Sequence, residues 1–508
     1  MSFKEVKELR QQGKLKEALE LAKSDLDQNL GDIWNKRSIA WVHYDYLKLA
    51  VENNDFNEVK SKLDDTIALQ LPGSEVMVFD TIAFQLGKLI FAMVKNNSIN
   101  TDNLNKLFEC VKQMHFTKPS DGYSFLHKAF LKASGGWERY CDFADWWDFN
   151  NFQLVDYEEQ EYNSKTMMST VEQAYIHYAK DLTIGKFVTN DDPLGFAKRE
   201  IDTDRVAAFL GQLDDLIQKH PSYIYPPYYK SKLLLLNGSK EQALTEFLPF
   251  AKLKKNDFWV WDLMAEIYKD EKDKCLASYC KAISCKIPGS FLVKTRQKFA
   301  EFLINHQYFD EARYEIDRLT TDREANGWRI PNKVLTWKQS DWYLKSEKVK
   351  SNKDFYNAHF VLAESLLFNN DPEVKVVITN LNQEKKIANY SIDKSNGGFF
   401  NYQGLIEKID IGDIVNIRVQ SVDDESGFTK VNTVRKNVDN KHPMLRIEEG
   451  VIRIKDEANF GFLGNTFVDP TIIGKYHLLD GQNINALSLL SFNKKKNEWG
   501  WKVIGKIE

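Results

Sequence analysis

The sequence has no disulfide framework. Its five cysteines, Cys110, Cys141, Cys275, Cys280 and Cys285, are odd in number and show no paired spacing, which points to a reducing compartment. Long apolar runs are lacking too, since none approaches the roughly 20 residues a membrane span needs. The opening stretch from Met1 to Glu5 begins an amphipathic helix rather than an apolar signal core. A cytoplasmic chain with no membrane partner is the expectation. An excess of one charge is missing as well. The net charge is −4, and from residue 371 onward basic and acidic residues number 19 each, leaving 50 and 54 before it. Neither part is a polycation, so strong nonspecific DNA binding is not implied.

Catalytic motifs are also missing. There is no phosphate-binding Gly-rich loop ending in Lys-Ser/Thr, no His-Glu-x-x-His pair, no Gly-x-Ser-x-Gly elbow and no dinucleotide fingerprint. The nine histidines are scattered singly. Cys275, Cys280 and Cys285 advance in steps of five, which turn about 140° on a helix and share no face. The expectation is no metal, no cofactor and no enzyme.

What is present is length and aromatic content. A chain of 508 residues exceeds one ordinary core, and aromatics make up 13% of it, with 12 tryptophans. Residues 1–365 read as helix after helix. Gly13 to Ala18 forms a turn between two helical patterns, and Asn237 to Ala243 repeats it. Ala243 is followed by Phe247 and Phe250, Cys275 by Tyr279 and Ala282, and Ala312 by Ile316 and Leu319. The three small residues are 32 and 37 apart, bracketing the period of about 34 expected of tetratricopeptide repeats. A TPR-like α-helical solenoid follows from this spacing; an irregular helical array is the alternative. In the off-period middle, Ser169 and Glu172 form a capping box ahead of one apolar helix face. The run Trp137, Tyr140, Phe143, Trp146, Trp147, Phe149 and Phe152 reads as inter-helix packing, or as an anchor for a partner.

After Pro372 the period changes to two. Val374, Val376 and Ile378 alternate with other residues, and Gly and Asp turns separate short apolar runs. Two β domains are predicted, at residues 371–437 and 444–508, each the size of a five-stranded OB barrel. In the second, Gly464-Asn465 is a two-residue hairpin turn, which pairs Leu463 with Thr466 and Phe462 with Phe467. Phe460, Phe462 and Phe467 then share one face, with Leu463 and Val468 on the other. That ring-bearing face either stacks bases or fills the barrel. Arg453 and Lys455 alternate with Ile452 and Ile454 and can share the face of the rings. Lys494, Lys495 and Lys496 occupy a predicted hairpin loop, either as phosphate contacts or as a solvated turn. Trp499 and Trp501 alternate on one strand, and one of them is expected in the core.

Gly450 to Ile454, Phe460-Gly461-Phe462, Phe467-Val468 and Leu479-Asp480-Gly481-Gln482 together resemble the cold-shock domain. The preceding block, with Ile411-Gly412-Asp413-Ile414-Val415, is similar to the OB domain of ribosomal and exonuclease proteins. The resemblance implies that the three Phe residues stack on single-stranded nucleic acid. Ile454 stands where the family usually has a stacking Trp and Asp469 where it has a His, which implies a reduced platform and micromolar binding. The wider arrangement resembles proteins of prokaryotic conflict systems of the TOTE and tellurite-resistance-associated kinds. The stretches Leu248 to Lys252, Phe258 to Leu263, Asn493 to Lys496 and Trp499 to Trp501 carry that likeness. It implies a role in defence against foreign nucleic acid. The resulting expectation is an adaptor that binds single-stranded RNA or DNA through its OB folds and a protein partner through its helices. The alternative is a scaffold whose OB folds serve protein contacts.

Overall fold

The computed structural model describes residues 3–162, 164–188, 198–368, 371–423, 425–437, 439, 441–455, 459–493 and 497–506. The chain divides into two compact units, Met1–Asn352 and Lys353–Glu508.

Helices make up nearly all of the first unit, and side-chain caps start many of them. Asp32 accepts from the amides of Trp34 and Asn35, and Asp55 from that of Glu58. Two short antiparallel pairs interrupt the helices: β1 (Gln160–Tyr162) with β2 (Lys165–Met167), and β3 (Lys186–Val188) with β4 (Lys198–Glu200). Three helix pairs stand where the spacing predicts them: Pro226–Leu236 with Lys240–Leu253, Phe258–Ile267 with Lys272–Ile283, and Gly289–Asn305 with Phe309–Ala325. The small residues Ala243, Cys275 and Ala312 are buried in them, as are Phe247, Tyr279 and Ile316 four residues on.

Two local readings change. Ser169 caps its helix by accepting from the Glu172 amide at 3.0 Å. Glu172 does not reach back to complete a capping box. It is buried, and its carboxylate accepts instead from the amides of Ile224 and Tyr225, both at 3.1 Å. One helix, Val76–Lys95, is long and apolar enough to cross a membrane by length and composition, although Asp80, Gln85 and Lys88 interrupt its apolar run. Ten of its 20 residues are buried against neighbouring helices. A Cβ on its Gly87 would lie 2.5 Å from the Phe125 ring, so the glycine lets the helix Asp121–Ala133 approach. This is a core helix of the unit.

Most of the aromatic run is interior packing. Trp137, Tyr140, Phe143, Trp147 and Phe152 are buried, and Phe143 stacks on Phe130 at 4.3 Å. Tyr123 and Trp147 bond reciprocally, each side chain donating to the other's carbonyl, at 3.0 and 3.1 Å. Cys275 and Cys280 are also buried, and burial pushes the Cys275 thiol up to about 12.

The second unit opens with the helix Lys353–Phe368. Arg418 ties that helix to the sheet by donating to the Phe368 carbonyl at 3.0 Å, and Arg435 pairs with Glu364 at 3.4 Å. Five strands follow: β5 (Glu373–Asn382), β6 (Ile387–Ser391), β7 (Gly397–Asn401), β8 (Ile414–Val422) and β9 (Thr429–Lys436). Their order is β7-β6-β5-β8-β9, and a parallel bridge between Phe399 and Phe428 brings the two edges together. Val376, Ile378, Phe400, Val415 and Ile417 fill the interior.

A second set comprises β10 (Leu445–Lys455), β11 (Phe460–Leu463), β12 (Thr466–Val468), β13 (Asn483–Asn493) and β14 (Glu498–Lys506). It closes as a barrel in the order β10-β11-β12-β14-β13. Both sets have the five-strand OB connectivity, with the third strand running parallel to the fifth. The barrels meet through an apolar cluster of Val377, Met444, Leu489 and Leu490. Gly412, at φ +91°, also packs there, where a Cβ would run into the Ile504 side chain.

Candidate nucleic-acid interface

The hairpin at Gly464-Asn465 sets the site. Gly464 takes φ +57°, which glycine adopts without steric cost. The register that follows pairs Leu463 with Thr466 and Phe462 with Phe467. Leu463 and Val468 point inward and join Ile452, Ile484, Ala486 and Val503 in the barrel core. Phe460, Phe462 and Phe467 lie outside that core and are half-buried. They pack on one another, with ring centroids 5.7 to 5.9 Å apart, a spacing at which edge-to-face contacts are favourable. The rings therefore form a patch on the outer face. Gly461, between two of them, must be small: a Cβ there would lie 2.9 Å from the Arg453 carbonyl.

Strand β10 brings cations alongside. Arg453 stands opposite Phe462 and Lys455 opposite Phe460. The Arg453 side chain is exposed, and the Lys455 ammonium lies 5.9 Å from the Phe460 centroid. Cations beside ring faces add attraction, and Arg453 also lies 3.8 Å from Asp480.

Residues 368–431 match the family described as S1/CSD-like domain 1 of the TOTE conflict systems, and residues 446–505 match S1/CSD-like domain 2 of the same systems. The C-terminal part is this S1/CSD-like pair. Residues 224–363, which hold the three helix pairs, match a domain of unknown function (DUF7017). No curated protein matches the chain.

In the second S1/CSD-like domain, Ile454 is not an outer-face position. It packs against the barrel core, because it shares a strand face with Ile452. The outward residues of this stretch are Arg453 and Lys455, so the patch has no vacancy at Ile454. Asp469 is not a bare repulsive charge either. It caps the helix Pro470–Tyr476, accepting from the Thr471 amide at 2.9 Å and hydroxyl at 2.7 Å, and Lys502 lies 3.1 Å away. The Thr471 hydroxyl, then its amide, then Lys502 hold this carboxyl down at about 2.

Lys502 was not found by sequence reasoning. It stands opposite Phe467 across the parallel β12–β14 pair. That closure joins strands distant in sequence, and only the charge on a half-buried strand marked the residue. Lys494, Lys495 and Lys496 lie outside the described residues. Trp499 and Trp501 are both half-buried against the cluster between the two S1/CSD-like domains, and the Arg446 guanidinium sits 4.0 Å over the Trp501 ring. The first S1/CSD-like domain carries a smaller outer patch, where Phe399 meets Phe428 edge to face at 5.6 Å.

Proposed function

We propose that this chain is a non-enzymatic adaptor that binds single-stranded RNA or DNA through the outer face of its second S1/CSD-like domain. The observation that carries the reading is the three-ring patch of Phe460, Phe462 and Phe467, held out of the core and flanked by Arg453, Lys455 and Lys502. Aromatic platforms beside cations are how sequence-tolerant single-strand binders work, since every base offers a π face. The helical unit supplies the second half of the adaptor, a docking surface for a protein partner. Its stacked helix pairs and slight acidity favour protein over phosphate. The match to TOTE conflict-system domains supports a role in defence against foreign nucleic acid, and free buried thiols support a cytoplasmic setting.

The second reading is protein contact through the OB folds. Ile447 and Val451 favour it: both are exposed on the same strand as Arg453, at 66% and 44%. Fluorescence anisotropy of a labelled single strand against the full chain, at several salt concentrations, separates the two. Salt-dependent binding that weakens on Phe462→Ala supports the adaptor; no binding to RNA or DNA favours protein contact. Cleavage of the strand by the purified chain would overturn the non-enzymatic reading.

A further inference from the structure

In the helical unit, the segment around Phe149 meets the helices Thr170–Ile184 and Thr203–Lys219 around a cavity of about 680 Å³. Rings form much of its wall: Phe149, Tyr157, Tyr175 and Tyr178. Phe149 lies 4.8 Å from Tyr175 and 5.9 Å from Tyr178, centroid to centroid. Tyr178 is stacked on Phe209 at 4.2 Å and Tyr157 on His220 at 4.9 Å; a ring face left open carries negative potential, which attracts cations.

Carboxylates stand among the rings. Asp145 is already engaged, with Arg205 and with the Tyr178 hydroxyl at 2.7 Å. Asp148 uses one oxygen, accepting from the Asn150 amide at 3.0 Å and its side chain at 2.9 Å. Its other oxygen has no hydrogen bond among the described residues. Asp148 also holds φ +63°, a left-handed conformation that costs a non-glycine residue free energy. Asp215 is exposed and, among the described residues, has neither a hydrogen-bond nor an ion-pair partner. Against these, Lys219 is the one lysine or arginine in the lining.

We propose that this cavity takes a lysine or arginine side chain presented by a protein partner. The methylene stem packs on the rings, and the charged head meets Asp148 and Asp215. A peptide rather than a free amine is the occupant, because apolar surface waits beside the cavity. Leu154, in its lining, is 87% exposed, and the adjacent Val155 is 53% exposed. Both offer contact to residues flanking the inserted side chain. The inference rests on the reading of the helical unit as a protein-docking surface, and it names the chemistry of that surface.

Saturation-transfer NMR on the full chain tests it, with the N-acetyl amides of lysine, arginine and norleucine, the tripeptide Leu-Lys-Leu, and butylamine. The lysine and arginine probes are expected to bind at least tenfold more tightly than norleucine, and Leu-Lys-Leu more tightly than butylamine. Asp215→Asn and Tyr175→Leu should each weaken lysine binding several-fold while leaving the helical circular dichroism and single-strand binding unchanged. Asp215 is exposed, so its variant keeps the test sound even if Tyr175→Leu disturbs packing. Equal binding of norleucine, or parent-like binding by Asp215→Asn, overturns the cavity assignment. Butylamine binding as well as Leu-Lys-Leu overturns the peptide as occupant. The docking reading itself falls separately, if crosslinking in cells places no protein on the helical unit.

Discussion

Arg453 and Lys502 end a single cross-strand row, with Phe462 and Phe467 between them. Each neighbour in the row is an assigned pair: Arg453 with Phe462, Phe462 with Phe467, and Phe467 with Lys502. Strands lie about 4.8 Å apart, so the two cations bracket the rings across roughly 14 Å of outer surface. On the proposed reading, a base stacked on either ring would have a cation near its phosphate. The row needs barrel closure, because Lys502 joins it only through the parallel β12–β14 pair.

Removing rings should therefore cost binding and spare the fold. Phe462→Ala or Phe467→Ala is expected to weaken single-strand binding by about 5- to 160-fold, the equivalent of roughly 1–3 kcal/mol per stacked base. Leu463→Ala, one residue along but inside the barrel, should instead destabilise it by about 2–5 kcal/mol. Anisotropy titrations and thermal melts of the full-length variants check both. A barrel that melts as early with Phe462→Ala as with Leu463→Ala would place the ring in a structural role.

The cations should show themselves in the salt dependence. Arg453→Gln and Lys455→Gln are each expected to lower the slope of log K against log salt by about 0.7, one phosphate's worth on a single strand. Affinity should fall at low salt and converge with the parent near molar salt, where screening removes the term. An unchanged slope would mean that the strand runs elsewhere.

The hairpin was legible because two local signals agreed. Gly464-Asn465 set the turn, and strict alternation from Phe460 to Val468 set the faces. The helix pairs were legible from Ala243, Cys275 and Ala312, since close helix approach demands a small residue there. What failed was long-range. Glu172 has the spacing of a capping box, but the amides of Ile224 and Tyr225 compete for its carboxylate. Lys502 reaches the rings through a pairing no periodicity reveals. Ile454 was legible as inward from its alternation with Arg453 and Lys455, and it packs against the barrel core. Val76–Lys95 escaped notice because Asp80, Gln85 and Lys88 interrupt its apolar run, yet its average is that of a buried core helix.

The helical unit contains a charge pair that should govern its stability. Arg296 bonds to Glu315, both side chains are buried, and Asn352 donates to the same carboxylate at 3.1 Å. Arg296→Met removes this cation from the buried carboxylate, and a loss of about 3–5 kcal/mol is expected. Adding Glu315→Leu should recover much of it, because no buried charge then remains. Urea unfolding followed by helical circular dichroism measures both. A double variant no more stable than the single one would assign the loss to packing rather than to charge.

Asp469 separates two contributions that one substitution would confuse. Its carboxylate caps the helix Pro470–Tyr476 through Thr471 and also holds Lys502 at 3.1 Å. Its folded pKa lies at about 2, below the ordinary 3.8. A depressed carboxyl contributes stability above its unfolded value and loses that contribution as pH falls through the folded one. The contribution should therefore be complete above pH 5 and disappear between about pH 4 and 2, as thermal melts across that range will show. Asp469→Asn keeps a side-chain oxygen for the cap but removes the charge, which frees the Lys502 ammonium beside Phe467. Tighter single-strand binding is expected, with a salt slope steeper by up to about 0.7. Asp469→Ala frees the same ammonium but removes the cap as well, so it should bind similarly while melting earlier, by the equivalent of about 0.5–2 kcal/mol. Weaker binding by the Asn variant would show that Asp469 positions Lys502 for the strand rather than withholding it.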